Sequence, residues 1–187
     1  MLAAFAEHVQ REDEDPHLVL AAPDVSAVAD DPEGAEVLAE VEAVWHELPR
    51  ALRRRAYLKL LPMEDADGNA VIVSALQRRA DVVVQRSLAE GFVLTVAEAM
   101  WKGRPVVASP VGGIQDQIEE GRPGWLVEPT DPAAFAARVS EMLADPHAAE
   151  RIGEAAQVRV RDQFVGPRHL GQCVDLLGRI LAPSSKA

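Results

Sequence analysis

Short apolar runs alternate with amphipathic stretches of helical period along the chain as far as Glu128. Runs rich in valine, leucine and isoleucine are typical of strands in a parallel sheet that helices cover on both faces. Each run is too short and too apolar for a half-exposed antiparallel strand. The pattern predicts five strands, at residues 17–22, 56–61, 81–85, 105–109 and 125–128.

Helices are predicted between these strands because the apolar residues there recur with helical spacing. Their approximate bounds are residues 2–11, 34–48, 69–79, 94–102 and 114–119. Two prolines and three aspartates make residues 23–33 a predicted loop. A second loop is predicted at residues 65–69, with Asn69 capping the helix that follows.

Beyond Pro129 the pattern predicts helices only. Thr130-Asp131-Pro132 supplies a cap and a first-turn proline for one helix, Asp145-Pro146 opens the next, and a third is predicted at about residues 167–181. Residues 183–187 are predicted to fray. The chain is interpreted as a single α/β domain over residues 1–187. It has a Rossmann-like parallel sheet flanked by helices and a helical C-terminal part at about residues 130–182.

Acidic residues outnumber basic ones by 30 to 19, which gives a formal net charge of −11. Nucleic acids and anionic membranes attract basic patches, so neither is predicted as a partner. The single cysteine, Cys173, has no second cysteine to pair with, and the five histidines lack metal-ligand spacing. The sequence contains no apolar window of membrane length and no signal-peptide core. These features favour a cytoplasmic protein that needs no metal.

The candidate chemistry lies within residues 87–114. Glu90-Gly91-Phe92 follows the predicted strand 81–85 and precedes a predicted helix, so it lies at the strand end where open α/β sheets bind ligands. Gly91 allows a close backbone approach. The N–H groups of the first helical turn, from Val93 to Thr95, are expected to point at the same crevice with partial positive charge. This corner is therefore predicted to bind a phosphate group.

Two carboxylates border the same corner, Glu90 on the loop and Glu98 in the helix, with seven residues between them. One carboxylate can reach sugar hydroxyls while the other accepts hydrogen bonds from both hydroxyls of a ribose diol. The alternative interpretation is that both are ordinary solvated glutamates. The residues around them favour the first interpretation.

The run E-G-F-x-L-T-x-x-E-A-M, followed by G-x-P-V-V and V-G-G-I, resembles the E-x7-E region of the family 4 retaining glycosyltransferases, which have the two-domain GT-B fold. Within that family, Gln77, Trp101-Lys102 and the runs 81–87 and 111–117 look most like trehalose glycosyltransferring synthase. Such enzymes join glucose from a nucleoside diphosphate glucose to free glucose, reversibly and with retention. The resemblance runs from about residue 2 to the C-terminus. It implies the C-terminal, donor-binding half of a GT-B fold.

The resemblance also implies roles for individual residues. Glu98 would hold the donor ribose, and Glu90 would lie near the donor glucose and help to stabilise oxocarbenium-like charge, while Ser87 shapes the loop. Gly112 and Gly113 form either a second crevice loop or merely a tight turn. No permanently bound cofactor and no metal are implied, since nucleoside diphosphate glucose is a substrate. The residues implied to bind this donor are Gly91, Phe92, Val93, Leu94, Thr95 and Glu98.

The chain departs from the family pattern at three points. Val93 stands where the family usually has glycine, and its branched side chain is expected to narrow the space beside the donor sugar. The N-terminal domain that binds the acceptor has no counterpart. Nor does the family's first strand, which carries an arginine and, a few residues on, a lysine for the diphosphate. Nucleotide affinity is therefore expected to be weak.

The absent first strand would be central in a 3-2-1-4-5-6 sheet, between strands 17–22 and 81–85. These two strands are expected either to pair directly or to leave an edge that another chain or segment completes. An exposed apolar patch is expected near Phe92 and Val111. Such a patch is expected to cause homodimerisation or aggregation in solution.

Three functions stay open at this point. The first is the donor half of a trehalose-forming enzyme, with glucose as acceptor, active only with an N-terminal domain. The second is a non-catalytic nucleotide-sugar-binding remnant or regulatory module. The third is another GT-B activity, such as sucrose or glycogen synthesis or nucleotide-sugar epimerisation. Trp101 after Glu98-Ala-Met100 favours trehalose, although Trp101 and Trp125 are themselves interpreted as packing residues.

Overall fold

The computed structural model describes residues 1–2, 5–6, 9, 15–24, 32–119 and 124–181. Leu2, Phe5, Ala6 and Val9 are helical, while the rest of the helix predicted at residues 2–11 lies outside the described residues. The other elements, in chain order, are β1 (Leu18–Pro23), α1 (Pro32–Glu47), α2 (Arg50–Arg53), β2 (Ala56–Leu61), α3 (Ala66–Arg79), β3 (Val83–Gln85), α4 (Leu94–Trp101), β4 (Val106–Ala108), α5 (Ile114–Gln117), β5 (Gly124–Leu126), α6 (Pro132–Ala144), α7 (Pro146–Gln163) and α8 (Gly166–Leu181).

The predicted α/β class and all five predicted strands are confirmed, each strand close to its expected bounds. The short helix α2 was not predicted. Most of the loop predicted at residues 23–33 and all of the tail at 183–187 lie outside the described residues. In the part of the chain that is described, no helix combines the length and the apolar character needed to cross a membrane.

The predicted cap of α3 is wrong. The helix begins at Ala66, and the Asp65 carboxylate accepts a hydrogen bond from the Gly68 N–H at 2.8 Å. Asn69 lies inside the helix because its own N–H bonds to the Asp65 carbonyl. The caps predicted for α6 and α7 are confirmed, with Asp131 and Asp145 each accepting from a first-turn N–H at 2.9 Å.

The strands β3, β4 and β5 form one parallel sheet with β4 in the middle. Alternate residues of β4 face opposite sides. Val106 and Ala108 pack in a core cluster with α4 and α7, whereas Val107 packs with Phe135 and Ala136 of α6. Because helices cover both faces, β4 is buried at every position. This explains the unbroken apolar run that predicted the strand.

The strands β1 and β2 form a second, two-stranded parallel sheet, beginning with Leu18 opposite Ala56. Helix α1 covers one face, and its Trp45 Nε1 donates to the Ala56 carbonyl at 2.7 Å. On the other face Val19 is 44% exposed and Tyr57 is 47% exposed. Parallel pairing is therefore confirmed, but the burial expected on both faces is not found, because α1 covers only one of them.

Direct pairing of β1 with β3 is wrong, since the two strands are not hydrogen-bonded to each other in the described residues. Leu18 of β1 and Val84 of β3 instead line a cavity of about 50 Å³ between the sheets. Met1, Phe5 and Phe135 line the same space, so side chains rather than ladder hydrogen bonds connect the sheets here. The alternative, completion of this edge by another chain or segment, stays a prediction.

Candidate functional site

The side-chain amide of Gln85, at the carboxyl end of β3, organises the loop that follows. Gln85 Nε2 donates to Ser87 Oγ at 2.9 Å, and Ser87 Oγ donates to Glu90 Oε1 at 2.8 Å. The backbone is held as well, because the Ser87 N–H donates to Ser109 Oγ at 3.1 Å. The Glu90 carboxylate is thus tied to the loop although its side chain is exposed.

The same glutamine connects this loop to the first turn of α4. Thr95 Oγ1 donates to Gln85 Oε1 at 3.1 Å. From α3, Gln77 Nε2 donates to the Thr95 carbonyl at 3.1 Å, and Lys102 Nζ donates to Gln77 Oε1 at 2.6 Å. Since Gln77 is 7% exposed, the polar chain begins inside the protein and ends at the surface beside Glu90.

Glu98 lies on the exposed side of α4, one turn beyond Thr95. Side chains three or four positions apart share a face of a helix, so Glu98 shares its face with Leu94 and Thr95. Leu94 is 66% exposed, which shows that this face is open. Because Thr95 also bonds to the glutamine that holds Glu90, the structure brings both predicted carboxylates to one open corner.

The side chain of Val93, the N-cap residue of α4, does not lie where the sequence predicts it. Its side chain is 6% exposed and packs in the core, so it does not narrow the space at the surface. Its N–H faces the side-chain amide of Gln117 at 3.2 Å, in the amide orientation that satisfies both groups. The N–H groups of Leu94 and Thr95 have no acceptor within the described residues. These two donors are therefore among those that an anion could meet at this corner.

Gly112 and Gly113 pack directly against the Glu90 loop. Gly112 has a φ of +50°, and a Cβ there would overlap the Glu90 carbonyl oxygen. The Gly113 N–H donates to the Gly91 carbonyl at 2.9 Å, and a Cβ on Gly113 would lie 2.9 Å from the same oxygen. Both glycines thus permit a turn and also the contact between the two crevice loops.

The aromatic residues near the corner play different parts. Phe92 is 51% exposed, and its ring centroid lies 5.8 Å from that of Phe164. Val111 is partly buried against the core, so the apolar patch expected there is exposed mainly at Phe92. Trp125 packs against the α6 side of the sheet, as predicted, with the Arg138 guanidinium 4.6 Å from its ring centroid. Trp101 is 48% exposed at the end of α4.

The corner is an open surface, since Glu90, Thr95 and Glu98 are all exposed. A cavity of about 510 Å³ lies instead at the opposite edge of the sheet, next to Asp81 and Arg104, which precede β3 and β4. Its volume does not identify it as the candidate site, because open α/β sheets bind ligands at the carboxyl ends of their strands. Among the described residues, no group of three or more metal-ligand side chains is placed to hold a metal ion.

Comparison with known families identifies the central part of the chain. Residues 69–159 match the family model of glycosyl transferases group 1. They form a glycosyltransferase group 1 domain. This domain contains the whole corner described above, from Gln85 to Gln117.

Three of the curated relatives to which the chain is similar have names that refer to trehalose. Trehalose synthase of Pyrococcus horikoshii is 42% identical over 108 residues, which are 58% of this chain and 26% of the relative. Trehalose synthase of Rubrobacter xylanophilus is 46% identical over 112 residues, 60% of this chain and 26% of the relative. Trehalose phosphorylase of Grifola frondosa is 30% identical over 152 residues, 81% of this chain and 20% of the relative. The matched part is thus about a quarter of these relatives or less.

Solved glycosyltransferases have the same fold. Sucrose-phosphate synthase of Thermosynechococcus elongatus superposes with a TM-score of 0.72 at 28% identity, over 98% of this chain and 43% of that one. The C-terminal domain of a glycosyl transferase group 1 protein from Francisella tularensis superposes with a TM-score of 0.67 at 23% identity, over 87% of this chain and 77% of that domain. The fold is therefore that of the C-terminal half of a GT-B glycosyltransferase.

Several polar residues that hold the corner were not predicted to do so, among them Gln85 and Gln117. Arg159 of α7 is another, since its Nε donates to the Gln117 carbonyl at 2.7 Å. Gln85 ends an apolar strand, and a polar amide in an apolar run is a signal of a buried hydrogen bond. Gln117 carries no such signal, because it follows two exposed polar residues, Gln115 and Asp116. The sequence does not show which groups either amide bonds to.

Proposed function

We propose that this chain is the donor-binding part of a retaining glycosyltransferase that transfers glucose from a nucleoside diphosphate glucose to glucose, forming trehalose. The observation that supports this best is the corner itself, at a strand end. It combines two carboxylates with two N–H groups that have no acceptor in the part of the chain that the structure describes. The similarity to trehalose synthases, at 42% and 46% identity, favours trehalose as the product.

Each group at the corner has a chemical role in this proposal. Glu98 accepts hydrogen bonds from the ribose diol, and the Leu94 and Thr95 N–H groups bind the diphosphate. Gly91 and Phe92 border the donor glucose. Glu90, oriented by Ser87, lies beside this glucose and stabilises the positive charge that develops when the bond to the diphosphate breaks. No metal is needed for these contacts.

Binding is expected to be specific but weak, because the chain carries a net charge of −11 and the diphosphate is proposed to meet backbone N–H groups. Titration with UDP-glucose, ADP-glucose and GDP-glucose, followed by nuclear magnetic resonance, is expected to give one preferred donor with a dissociation constant on the order of 1 mM. Pyrophosphate and free glucose serve as controls. Equal affinity for pyrophosphate and for every nucleoside diphosphate glucose would indicate an unspecific anion site.

Trehalose formation is expected to require an N-terminal GT-B domain, which supplies the acceptor site. We expect the chain alone to form no trehalose from the preferred donor and glucose. A fusion to the N-terminal domain of a trehalose synthase is expected to form trehalose and release the nucleoside diphosphate, as measured by chromatography. Trehalose production by the chain alone would contradict this requirement.

A second candidate is a non-catalytic nucleotide-sugar-binding module, and a third is another GT-B activity. The alignment with a trehalose phosphorylase over 81% of the chain favours phosphorolysis of trehalose among the related reactions. The fusion distinguishes these candidates. Activity that depends on phosphate identifies a phosphorylase, and donor binding without turnover in a folded fusion identifies a binding module.

A further inference from the structure

Gln117, the last residue of α5, is a fully buried polar side chain, 0% exposed, between the buried residues Ile114 and Ile118. A buried amide is costly unless its donor and acceptor are both satisfied. The groups that satisfy it are the backbone N–H and C=O of Val93, each 3.2 Å away. Gln117 therefore bonds to both polar backbone groups of the residue that caps α4.

This double contact fixes the peptide unit that follows Val93. The Val93 carbonyl and the Leu94 N–H belong to one planar trans peptide, so they point in opposite directions. The carbonyl points into the core at Gln117, and it also accepts the first helical bond of α4 from Ala97 at 3.4 Å. The Leu94 N–H must then point away from Gln117, which is itself buried in the core.

The helix that carries Gln117 is itself held in place. From α7, Arg159 Nε donates to the Gln117 carbonyl at 2.7 Å, and Arg159 Nη2 donates to the Asp116 carbonyl at 2.7 Å. At the start of α5, the Gly113 N–H bonds to the Gly91 carbonyl at 2.9 Å. The α5 segment thus holds the corner on both sides of Phe92, at Gly91 and at Val93.

We infer that Gln117 is a positioning residue for the nucleotide-sugar. It touches no ligand, but it sets the direction of the Leu94 N–H that receives the diphosphate. This inference rests on the proposed donor-binding function and adds to it a residue buried beneath the site. Its role follows from the contact with Val93, which lies 24 positions earlier in the chain (117 − 93).

The test uses Gln117→Met in the full chain, because methionine has a similar length and lacks both hydrogen bonds. The variant is expected to bind the preferred nucleoside diphosphate glucose roughly tenfold more weakly than the parent chain, since a misdirected N–H loses its bond to a charged phosphate oxygen. The matched control is Gln157→Met. Gln157 is an exposed glutamine of α7. Its Nε2 donates at 2.8 Å to the carbonyl of Trp101, at the end of α4 opposite to Val93. This control is expected to bind as the parent does.

A spectroscopic readout separates positioning from general loss of structure. In the parent, the Leu94 amide proton is expected to shift downfield when donor saturates the site, as a hydrogen bond to phosphate requires. In a folded Gln117→Met protein at saturation, this shift is expected to be reduced. The shifts of residues around Glu98 should be retained.

The outcomes distinguish this inference from the proposed function. If the parent binds the donor and Gln117→Met binds equally well, only the inference is overturned. If donor saturates the parent without moving the Leu94 amide resonance, the inference is overturned together with the assignment of the diphosphate to the Leu94 N–H, while donor binding by the chain still stands. This result needs no variant to fold. If the parent binds no nucleoside diphosphate glucose, the proposed function is contradicted and the inference falls with it.

Discussion

Replacing Gly112 by alanine is expected to displace the Glu90 loop and to lower the free energy of unfolding by at least ~2 kcal/mol. Two causes add. The φ of +50° places Gly112 in the left-handed region that favours glycine, and a Cβ there would overlap the Glu90 carbonyl oxygen. Relief of the overlap requires the two crevice loops to separate, which also breaks the geometry that holds the Glu90 carboxylate. Donor binding is therefore expected to be lost together with stability.

Chemical denaturation of the parent and of Gly112→Ala, combined with donor titration, checks this expectation. Gly171→Ala is the control, because Gly171 lies in α8 and a Cβ there would meet open space. Alanine in a helix is more favourable than glycine by ~1 kcal/mol, so this control is expected to be at least as stable as the parent. Unchanged stability and binding in Gly112→Ala would show that the contact between the crevice loops is not needed.

The strand positions could be predicted because buried parallel strands are apolar at successive positions. β4 is the clearest example, since Val106, Val107 and Ala108 are all 0% exposed. The same reasoning failed for one face of β1, where Val19 is 44% exposed. An apolar side chain indicates that burial is favourable at its position. Which neighbours bury it depends on the arrangement of the whole sheet and its helices.

The cap of a helix was predictable where the local sequence favours one residue for it. Asp131 stands directly before the first-turn proline Pro132, which marks it as the cap of α6. Asp65 and Asn69 are both good cap residues, and the sequence places Gly68 between them in a predicted loop. The helix includes that glycine in its first turn. The start of a helix with two suitable caps is therefore decided by packing that the local sequence does not show.

The corner was predicted in outline from a single segment, since Glu90, Thr95 and Glu98 are close in sequence. Its supports were not, because they come from distant elements: Gln117 from α5 and Arg159 from α7. Contacts between residues far apart in sequence carry no local signal. For the same reason, the structure and not the sequence showed that the Val93 N–H faces Gln117.

Loss of the Glu98 carboxylate is expected to weaken donor binding strongly without displacing the crevice loops. A carboxylate that accepts from both ribose hydroxyls makes charge-assisted hydrogen bonds, and their removal is expected to weaken binding by a factor of ~10 to 100. The change in net charge is expected to alter the donor affinity in the opposite direction. Glu98→Ala changes the formal net charge from −11 to −10, which by itself would favour an anionic ligand. A loss of affinity would therefore be specific to the ribose contact.

The most direct test of the donor-binding proposal compares Glu98→Ala with Glu154→Ala by titration with the preferred nucleoside diphosphate glucose. Glu154 is exposed, carries the same charge and lies at the opposite edge of the sheet, beside the cavity of about 510 Å³. We expect Glu154→Ala to bind the donor as the parent does and Glu98→Ala to bind it at least tenfold more weakly. Equal affinities in the parent and both variants would contradict the role of Glu98 and, with it, the proposal that this corner binds a nucleotide-sugar.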